Sequence, residues 1–326
     1  MRTFTFKGLF LTAVFMLLGC SSLYAADDDL ITRQITIKLD KAGTLPDKIG
    51  SSRMYKITNL KLVGEINGTD LGMIRKMAGR DYWGDVTEGN LSVLDLSEAK
   101  IVEGGDSYYS RDNCYTSNDA IGKYAFSDCS GLTSLTLPAG ITSIGDDAFW
   151  GCSGLTSLNL PTGITKIGSY AFKGCSGLTS LNLPAGITSI SWGAFYGCSG
   201  LTSINLPAVI TSIGDEAFYG CSGLTSIYVY AEKVPGIGSD AFKGCDAKKC
   251  ILYVPKGTYD DYFISDFGYF ENIVEFDATG IDKTTTSTDV KEVSRFSADG
   301  QRLVGPTKGL NIVKYSDGSV KKVAVE

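Results

Sequence analysis

The sequence predicts a repeat solenoid, a stack of near-identical coils that each hold one short strand, and three observations lead there. Aligned on its Ala-Phe pairs, the chain places Ala125, Ala148, Ala171, Ala194, Ala217 and Ala241 at four steps of 23 residues and a last step of 24, a solenoid period. Four residues after each alanine stands a cysteine: Cys129, Cys152, Cys175, Cys198, Cys221 and Cys245. An L-x-x-L-x-L stretch follows, as in Leu132/Leu135/Leu137, Leu155/Leu158/Leu160 and Leu178/Leu181/Leu183, with Ile204 and Ile227 at its middle position in later copies. Pro138, Pro161, Pro184 and Pro207 end each strand, because proline cannot donate to a ladder. The pairs Ile141/Ile144, Ile164/Ile167, Ile187/Ile190 and Ile210/Ile213 close the units. Ordering a backbone costs about 1–2 kcal/mol per residue, more than the few apolar side chains of one unit return, so a unit cannot fold alone. Stacking shares the burial between neighbours, and the invariant columns are the expected core.

The elements before the repeats are an export signal and an irregular first segment. Residues 1–19 carry Arg2 and Lys7 ahead of an apolar run from Gly8 to Gly19, too short to span a bilayer as a permanent helix. Leu17-Leu18-Gly19-Cys20 resembles the lipobox of bacterial lipoproteins, which implies lipidation of Cys20; ordinary cleavage near Ala25 or Ala26 is the alternative. Residues 20–30 form a polar, acidic tether. Acidic residues soon after such a cysteine resemble a surface-export signal of some Gram-negative lipoproteins, and they also suit a plain solvated linker. Residues 31–120 are expected to be an amino-terminal cap with irregular first repeats. Within them "GTDLGMIRKMAG" reads as a helix with Thr69 or Asp70 as N-cap, Leu71, Ile74 and Met77 on one face and Gly79 as its stop. Residues 102–120 form a loop too long and polar for an ordinary turn, and loops of this kind are usually functional or disordered.

The repeats, residues 121–255, resemble the BspA-like, or treponemal-type, leucine-rich repeat surface proteins, whose unit ends in an "AF-x-x-C-x-x-L" block. The resemblance implies a right-handed solenoid of leucine-rich repeats with short parallel strands, capped at both ends. It also implies adhesion to host matrix proteins or to other bacteria. "ITNLKLVGEINGTDLGMIRKMAG" and "LSVLDLSEAKIV" extend the resemblance upstream more weakly.

After the repeats, residues 256–276 read as a carboxy-terminal cap, with a strand at Ile251–Val254 before it and a short helix after Lys256. Residues 277–290 are a threonine-rich linker. Residues 291–326 form a small β-hairpin module, because Asp299-Gly300 and Asp317-Gly318 sit between alternating runs. This tail resembles the small carboxy-terminal β-modules of exported proteins from Gram-negative anaerobes, including type IX sorting modules, although it is shorter than a full sorting domain.

Eight cysteines remain after Cys20, and an even number in an exported chain raises the possibility of disulfides. Side chains in a stacked column run parallel, however, and a cysteine there serves as a small buried hydrophobe. Structural thiols are therefore expected, with disulfides as the alternative and the pairing of Cys114 and Cys250 left open. No metal site is expected, since a straight row cannot surround one ion.

The outward positions carry the candidate sites. The strand face offers Ser134/Thr136, Ser157/Asn159, Ser180/Asn182, Ser203/Asn205 and Ser226/Tyr228, polar and nearly uncharged. The position after each phenylalanine varies: Ser127, Trp150, Lys173, Tyr196, Tyr219 and Lys243. With Tyr170 and Trp192 nearby, Trp150, Tyr196 and Tyr219 make one rim a candidate partner-binding surface, since such rings are enriched in binding hot spots. The plainer reading is that each ring packs on its neighbouring turn. Tyr108, Tyr109 and Tyr115 of the long loop form the second candidate contact region.

The chain holds no histidine, which removes Ser-His-Asp and Cys-His catalysis and histidine-ligated metals. Carboxylate pairs such as Asp146/Asp147 and Asp215/Glu216 sit at adjacent turn positions without a cleft, and no Walker loop or dinucleotide fingerprint occurs. No catalytic residue and no cofactor are expected. A net charge of −6 and a pI near 4.9, with no basic run, argue against a nucleic-acid partner. The expectation is a non-catalytic scaffold at the bacterial outer membrane or cell surface, or else in the periplasm or medium. It would bind a protein partner, with membrane contact through the N-terminal lipid only. Glycan capture and a structural role in the envelope are the alternatives.

Overall fold

The structure, a computed structural model, describes residues 30–278 and, beyond them, 292–297, 302–303, 308–315 and 320–325. The expected signal segment, Cys20, nearly all of the tether, most of the threonine-rich linker and the turn pairs Asp299-Gly300 and Asp317-Gly318 lie outside the described residues. The chain divides into two compact units between Ala278 and Thr279.

Ten strands of the first unit form one parallel sheet in chain order: Ile35–Leu39, Asn59–Ile66, Val93–Ile101, Ser134–Thr136, Ser157–Asn159, Ser180–Asn182, Ser203–Leu206, Ser226–Val229, Ile251–Pro255 and Asn272–Phe276. The register follows the repeat: Ser134 faces Ser157, which faces Ser180, then Ser203, then Ser226. Each 23-residue step thus moves the chain by one strand. Because side chains alternate across a strand, this register points Leu135, Leu158, Leu181, Ile204, Ile227 and Leu252 inward together, and all are buried. The closing apolar pairs build two further three-stranded parallel ladders, one through Ile121, Ile144 and Ile167 and one through Ile190, Ile213 and Ile237.

The Ala-Phe turns form a ladder of their own. The backbone N–H of Phe126 donates to the carbonyl of Ala148 one unit later, and the pattern continues through Phe149, Phe172, Phe195 and Phe218, at 2.7–2.8 Å. The phenylalanine rings pile in register with centroids 5.2–5.5 Å apart and planes within 8°. Beside them the cysteines are all free thiols. The Sγ of Cys152, Cys175, Cys198 and Cys221 donates to the carbonyl of Phe126, Phe149, Phe172 and Phe195 at 3.0–3.2 Å. A thiol in this column fills a small apolar space and also satisfies a buried acceptor, which is why it repeats.

The first repeat has no preceding turn to supply such donors, and the irregular segment replaces them with side chains. The ladder carbonyls of Ala125 and Ser127 accept from the guanidinium of Arg75, at 3.3 and 3.5 Å from Nη1, which also reaches the Tyr124 carbonyl at 2.6 Å. The carbonyl of Lys123 accepts from the Tyr108 hydroxyl at 2.7 Å. Arg80 Nε donates to the Asp128 carbonyl at 3.0 Å. Arg75 is fully buried, its Nε and Nη2 make no hydrogen bond, and its guanidinium carbon lies 4.6 Å from the Tyr109 ring centroid.

Arg75 is carried by the helix Gly68–Met77. Its N-cap is Asn67, not Thr69 or Asp70 as the sequence reading expected. The physical reason is that Asp70 sits at the third helical position of a capping box, where its carboxylate accepts from the Asn67 backbone N–H. The same carboxylate accepts from the N–H groups of Gly43 and Leu45 at 2.6 and 2.9 Å, so it ties the helix to the first turn of the chain. Gly79, with φ +96°, ends the helix in the left-handed region that glycine adopts without steric cost.

The segment 102–120 is not irregular throughout. Gly104–Tyr109 pairs antiparallel with Cys114–Thr116, and this ribbon packs on the helix closely enough that a Cβ on Gly68 would lie 2.0 Å from the Asp106 carbonyl oxygen. At the far end, Tyr259–Phe263 is helical, and Phe267 and Phe270 pack against Phe242, the last ring of the pile. The second unit is a four-stranded antiparallel sheet in the order Arg302–Leu303, Glu292–Ser297, Gly309–Tyr315, Val320–Val325.

Candidate functional site

The rim follows from the turn that precedes each phenylalanine pile position. The residue before each alanine, as at Tyr124, Asp147, Tyr170, Glu216 and Asp240, has φ between 53 and 56°. Gly193 occupies the same position, and here glycine has a second reason. A Cβ would stand 2.1 Å from the Tyr170 ring, so the ring of one turn lies across the glycine of the next.

The structure brings Trp150, Tyr170, Trp192, Tyr196 and Tyr219 together on this rim. Tyr170 packs on Trp192 with centroids 4.9 Å apart and planes at 53°, and Tyr196 stacks on Tyr219 at 4.7 Å and 8°. Lys173, on the same turn as Tyr170, holds its ammonium 5.3 Å from the Trp150 ring, 4.7 Å from Tyr170 and 5.2 Å from Tyr196. Lys243 continues the row 5.9 Å from Tyr219. Trp192 is 52% exposed, and Trp150, Tyr170, Tyr196 and Tyr219 are half-buried. The rings pack locally, as the plainer reading has it, and their outer edges still reach solvent.

Electrostatics sharpen the rim. The Tyr170 hydroxyl donates to Glu216 Oε2 at 3.5 Å, two turns away. Burial, and then the Glu216 carboxylate, hold its pKa above the ordinary phenol value. Partial burial raises the Asp147 carboxyl at the start of the row, and a hydrogen bond with Tyr124 opposes the rise.

The second candidate region splits. Tyr115 is 57% exposed, whereas Tyr108 and Tyr109 are buried. This corrects the expectation that all three form a contact surface. Tyr108 spends its hydroxyl on the Lys123 carbonyl, and the Tyr109 ring packs on Tyr124 at 5.2 Å and on Arg75.

Sequence reasoning placed Tyr228 on the outer face of the sheet but missed the aromatic group around it. Tyr228 stacks on Tyr253 at 4.3 Å and 5°, and Phe276 meets Tyr228 and Tyr230 edge-on at 5.9 and 5.1 Å. The alternation in "SIYVY" and "ILYVP" was its available signal, since Tyr228, Tyr230 and Tyr253 alternate there with the buried Ile227, Val229, Leu252 and Val254. A column of threonines was also overlooked. Thr156, Thr179, Thr202 and Thr225 each donate a hydroxyl to the carbonyl of the threonine one unit earlier, at 3.1–3.4 Å.

Among the described residues no group of three or more His, Cys, Asp or Glu side chains is arranged to hold a metal ion. No helix there is long and apolar enough to cross a membrane. What the rim offers chemically is contact: ring edges, phenol hydroxyls, two indoles and two ammonium groups.

Residues 119–252 match the BspA type leucine rich repeat region in six copies, so the repeats are of the type that the "AF-x-x-C-x-x-L" block resembles. No curated protein matches the chain in sequence. Among solved structures, the leucine rich repeat protein TpLRR of T. pallidum is 18% identical, with 66% of this chain and 77% of that one covered at a TM-score of 0.37. A leucine rich cell surface protein from Faecalibacterium prausnitzii is 18% identical over 65% of this chain and 67% of its own, at 0.38. The pneumococcal vaccine antigen PcpA is 18% identical over 67% of this chain and 57% of its own, at 0.39.

Proposed function

Because residues 119–252 are BspA-type leucine-rich repeats, we propose that the chain is an exported, non-catalytic binding scaffold, anchored by lipid at Cys20 and displayed at the bacterial cell surface. Its aromatic rim meets a protein partner, of the host matrix or of another bacterium. The observation that supports this most is the continuous row from Trp150 to Lys243, in which side chains vary freely while the backbone beneath them repeats. Core positions are committed to packing, and the rim is where sequence differs from turn to turn.

The geometry favours protein over sugar. A pyranose stacks on an open ring face, yet Tyr196 and Tyr219 turn their faces to each other and Tyr196 also faces Lys173. Their edges and hydroxyls remain, and these suit the mixed apolar and hydrogen-bonding contacts of a protein interface.

Purified chain with Trp192, Tyr196 and Tyr219 all changed to Ala, compared with the natural protein on immobilised matrix proteins and on a glycan array, tests the reading. Protein binding is expected to weaken at least about tenfold, the effect of one hot-spot residue, while the chain still melts cooperatively with a modestly lower thermal midpoint. Saccharide binding that disappears in the variant would transfer the rim to glycan capture. Protection from added protease on intact cells, while a known surface protein is cut, would end the surface reading. A Cys20→Ala chain should leave the membrane fraction.

A further inference from the structure

The two end strands of the ten-stranded sheet are paired on one side only among the described residues: Ile35–Leu39 with Asn59–Ile66 at one edge, and Asn272–Phe276 with Ile251–Pro255 at the other. A row of unpaired backbone groups at a sheet edge is a template for another strand, and natural proteins blunt such edges with charge. Here the two edges are charged with opposite sign. Residues 30–54, the first strand and the short helices after it, hold five basic residues against two acidic, a net of +3. Residues 256–276, running from the end of the ninth strand through the last one, hold one basic residue against five acidic, a net of −4. Arg33, Lys38, Lys41, Lys48 and Arg53 are all exposed, as are Asp260, Asp261, Asp266, Glu271 and Glu275.

We propose that this chain associates head to tail with further copies of itself, the basic Ile35–Leu39 end of one molecule docking on the acidic Asn272–Phe276 end of the next. The sign pattern selects the geometry. Joining two first strands, or two last strands, would set like charges against each other, whereas first to last pairs them. It is also the arrangement that continues the parallel sheet at its own spacing of about 4.8 Å. The acidic end adds apolar area for such a contact, with Phe263 56%, Ile264 80% and Val274 44% exposed. A contact that uses two different patches need not close, so it yields short open stacks that lengthen with concentration. Such stacking would multiply the rim described above, although the association does not depend on the rim's partner.

Sedimentation velocity of the full chain tests this. The weight-average mass should rise between about 1 and 100 µM at ~20 mM salt and fall back to the monomer at ~300 mM, where screening shortens the reach of the charges. Arg33→Glu, Lys38→Glu and Lys41→Glu together, which take the first end from +3 to −3, should give a monomer, and so should Asp260→Lys, Asp261→Lys and Glu271→Lys, which take the other end from −4 to +2. Mixed in equal amounts, the two variants should associate again, because both junctions are then complementary. Should a reversal variant fail to melt cooperatively, Lys38→Gln and Glu271→Gln should each weaken the association at least about threefold. A natural chain that stays monomeric at low salt overturns the proposal. So does association unaffected by the reversals, or a mixture that fails to restore it, which would place the contact elsewhere.

Discussion

The regular repeats and the segment before them continue one sheet by two different methods. From Phe126 to Phe242 each turn is held by its neighbours through identical ladders, ring on ring, thiol to carbonyl, N–H to carbonyl. Each rung of those ladders joins adjacent units only. Between Ile35 and Thr116 the same sheet rests on single, unrepeated interactions: the Asp70 carboxylate on three N–H groups, the Arg75 guanidinium on three carbonyls, the Tyr108 hydroxyl on one. A translational array solves its hydrogen bonding once and copies the answer. Its first member has no predecessor, so the missing N–H donors must come from side chains, and a buried cation is tolerated there because carbonyl oxygens meet it.

The comparison breaks most visibly in alkali. Burial pushes the Cys129 thiol up to about 11 and Cys250 likewise to about 11, with Cys152 and Cys175 well above their ordinary value. In the unfolded chain these thiols ionise from about pH 9. A raised folded pKa means that stability is whole below pH 9 and is lost as the pH climbs from there toward 11 and beyond. Each such thiol removes up to about 1.4 kcal/mol per pH unit in that window. Thermal midpoints taken from pH 8 to 11 should fall steeply above 9, and hydrogen exchange should show the repeats opening before the Asn59–Ile66 strand. A flat profile would mean that the cysteine column is not held protonated by the fold.

Truncation separates the two methods at a smaller scale. Phe195→Ala should cost about 3–5 kcal/mol in urea unfolding, as removal of a large buried ring does. Arg75→Ala should cost about 3 kcal/mol, chiefly by stranding buried carbonyls. Its loss of exchange protection should be confined to the turn at residues 123–129, with the later repeats still protected. If exchange instead rises along the whole array, the first turn is not a local substitute for a missing unit but the nucleus on which the rest depends.

The rim should respond least. Tyr219→Ala removes a ring stacked on Tyr196 and is expected to cost no more than about 1 kcal/mol, read as a small drop in thermal midpoint. A cost approaching that of Phe195→Ala would make the rim part of the core and weaken its claim to be a binding surface.

Much of this was legible beforehand, and the exceptions share a cause. The phenylalanine, cysteine and leucine columns declare themselves by recurring, as do the prolines that end the strands. Tyr108, Tyr109, Arg75 and Asp70 occur once. A tyrosine in a polar, glycine-containing segment looks like a surface residue, and only a partner 15 residues away, the Lys123 carbonyl, makes Tyr108 internal. Arg75 reaches residues 49 to 52 positions downstream, a distance at which no local pattern speaks. Asn67 was passed over as N-cap because Asp70, three residues later, is an equally good cap by type. Its role at the third position depends on where Gly43 and Leu45 arrive.

By itself the sequence determined the period, the inward columns, the strand ends and the free, parallel thiols, because a repeating chain reports its own neighbours: what lies above any residue is the same residue one unit on. Only the tertiary structure decided which side chains replace the absent first turn, which loop tyrosines are lost to the interior, and that Lys173 sits among three rings. Those outcomes depend on how one-off segments pack against the array, and a contact made once leaves no periodic trace.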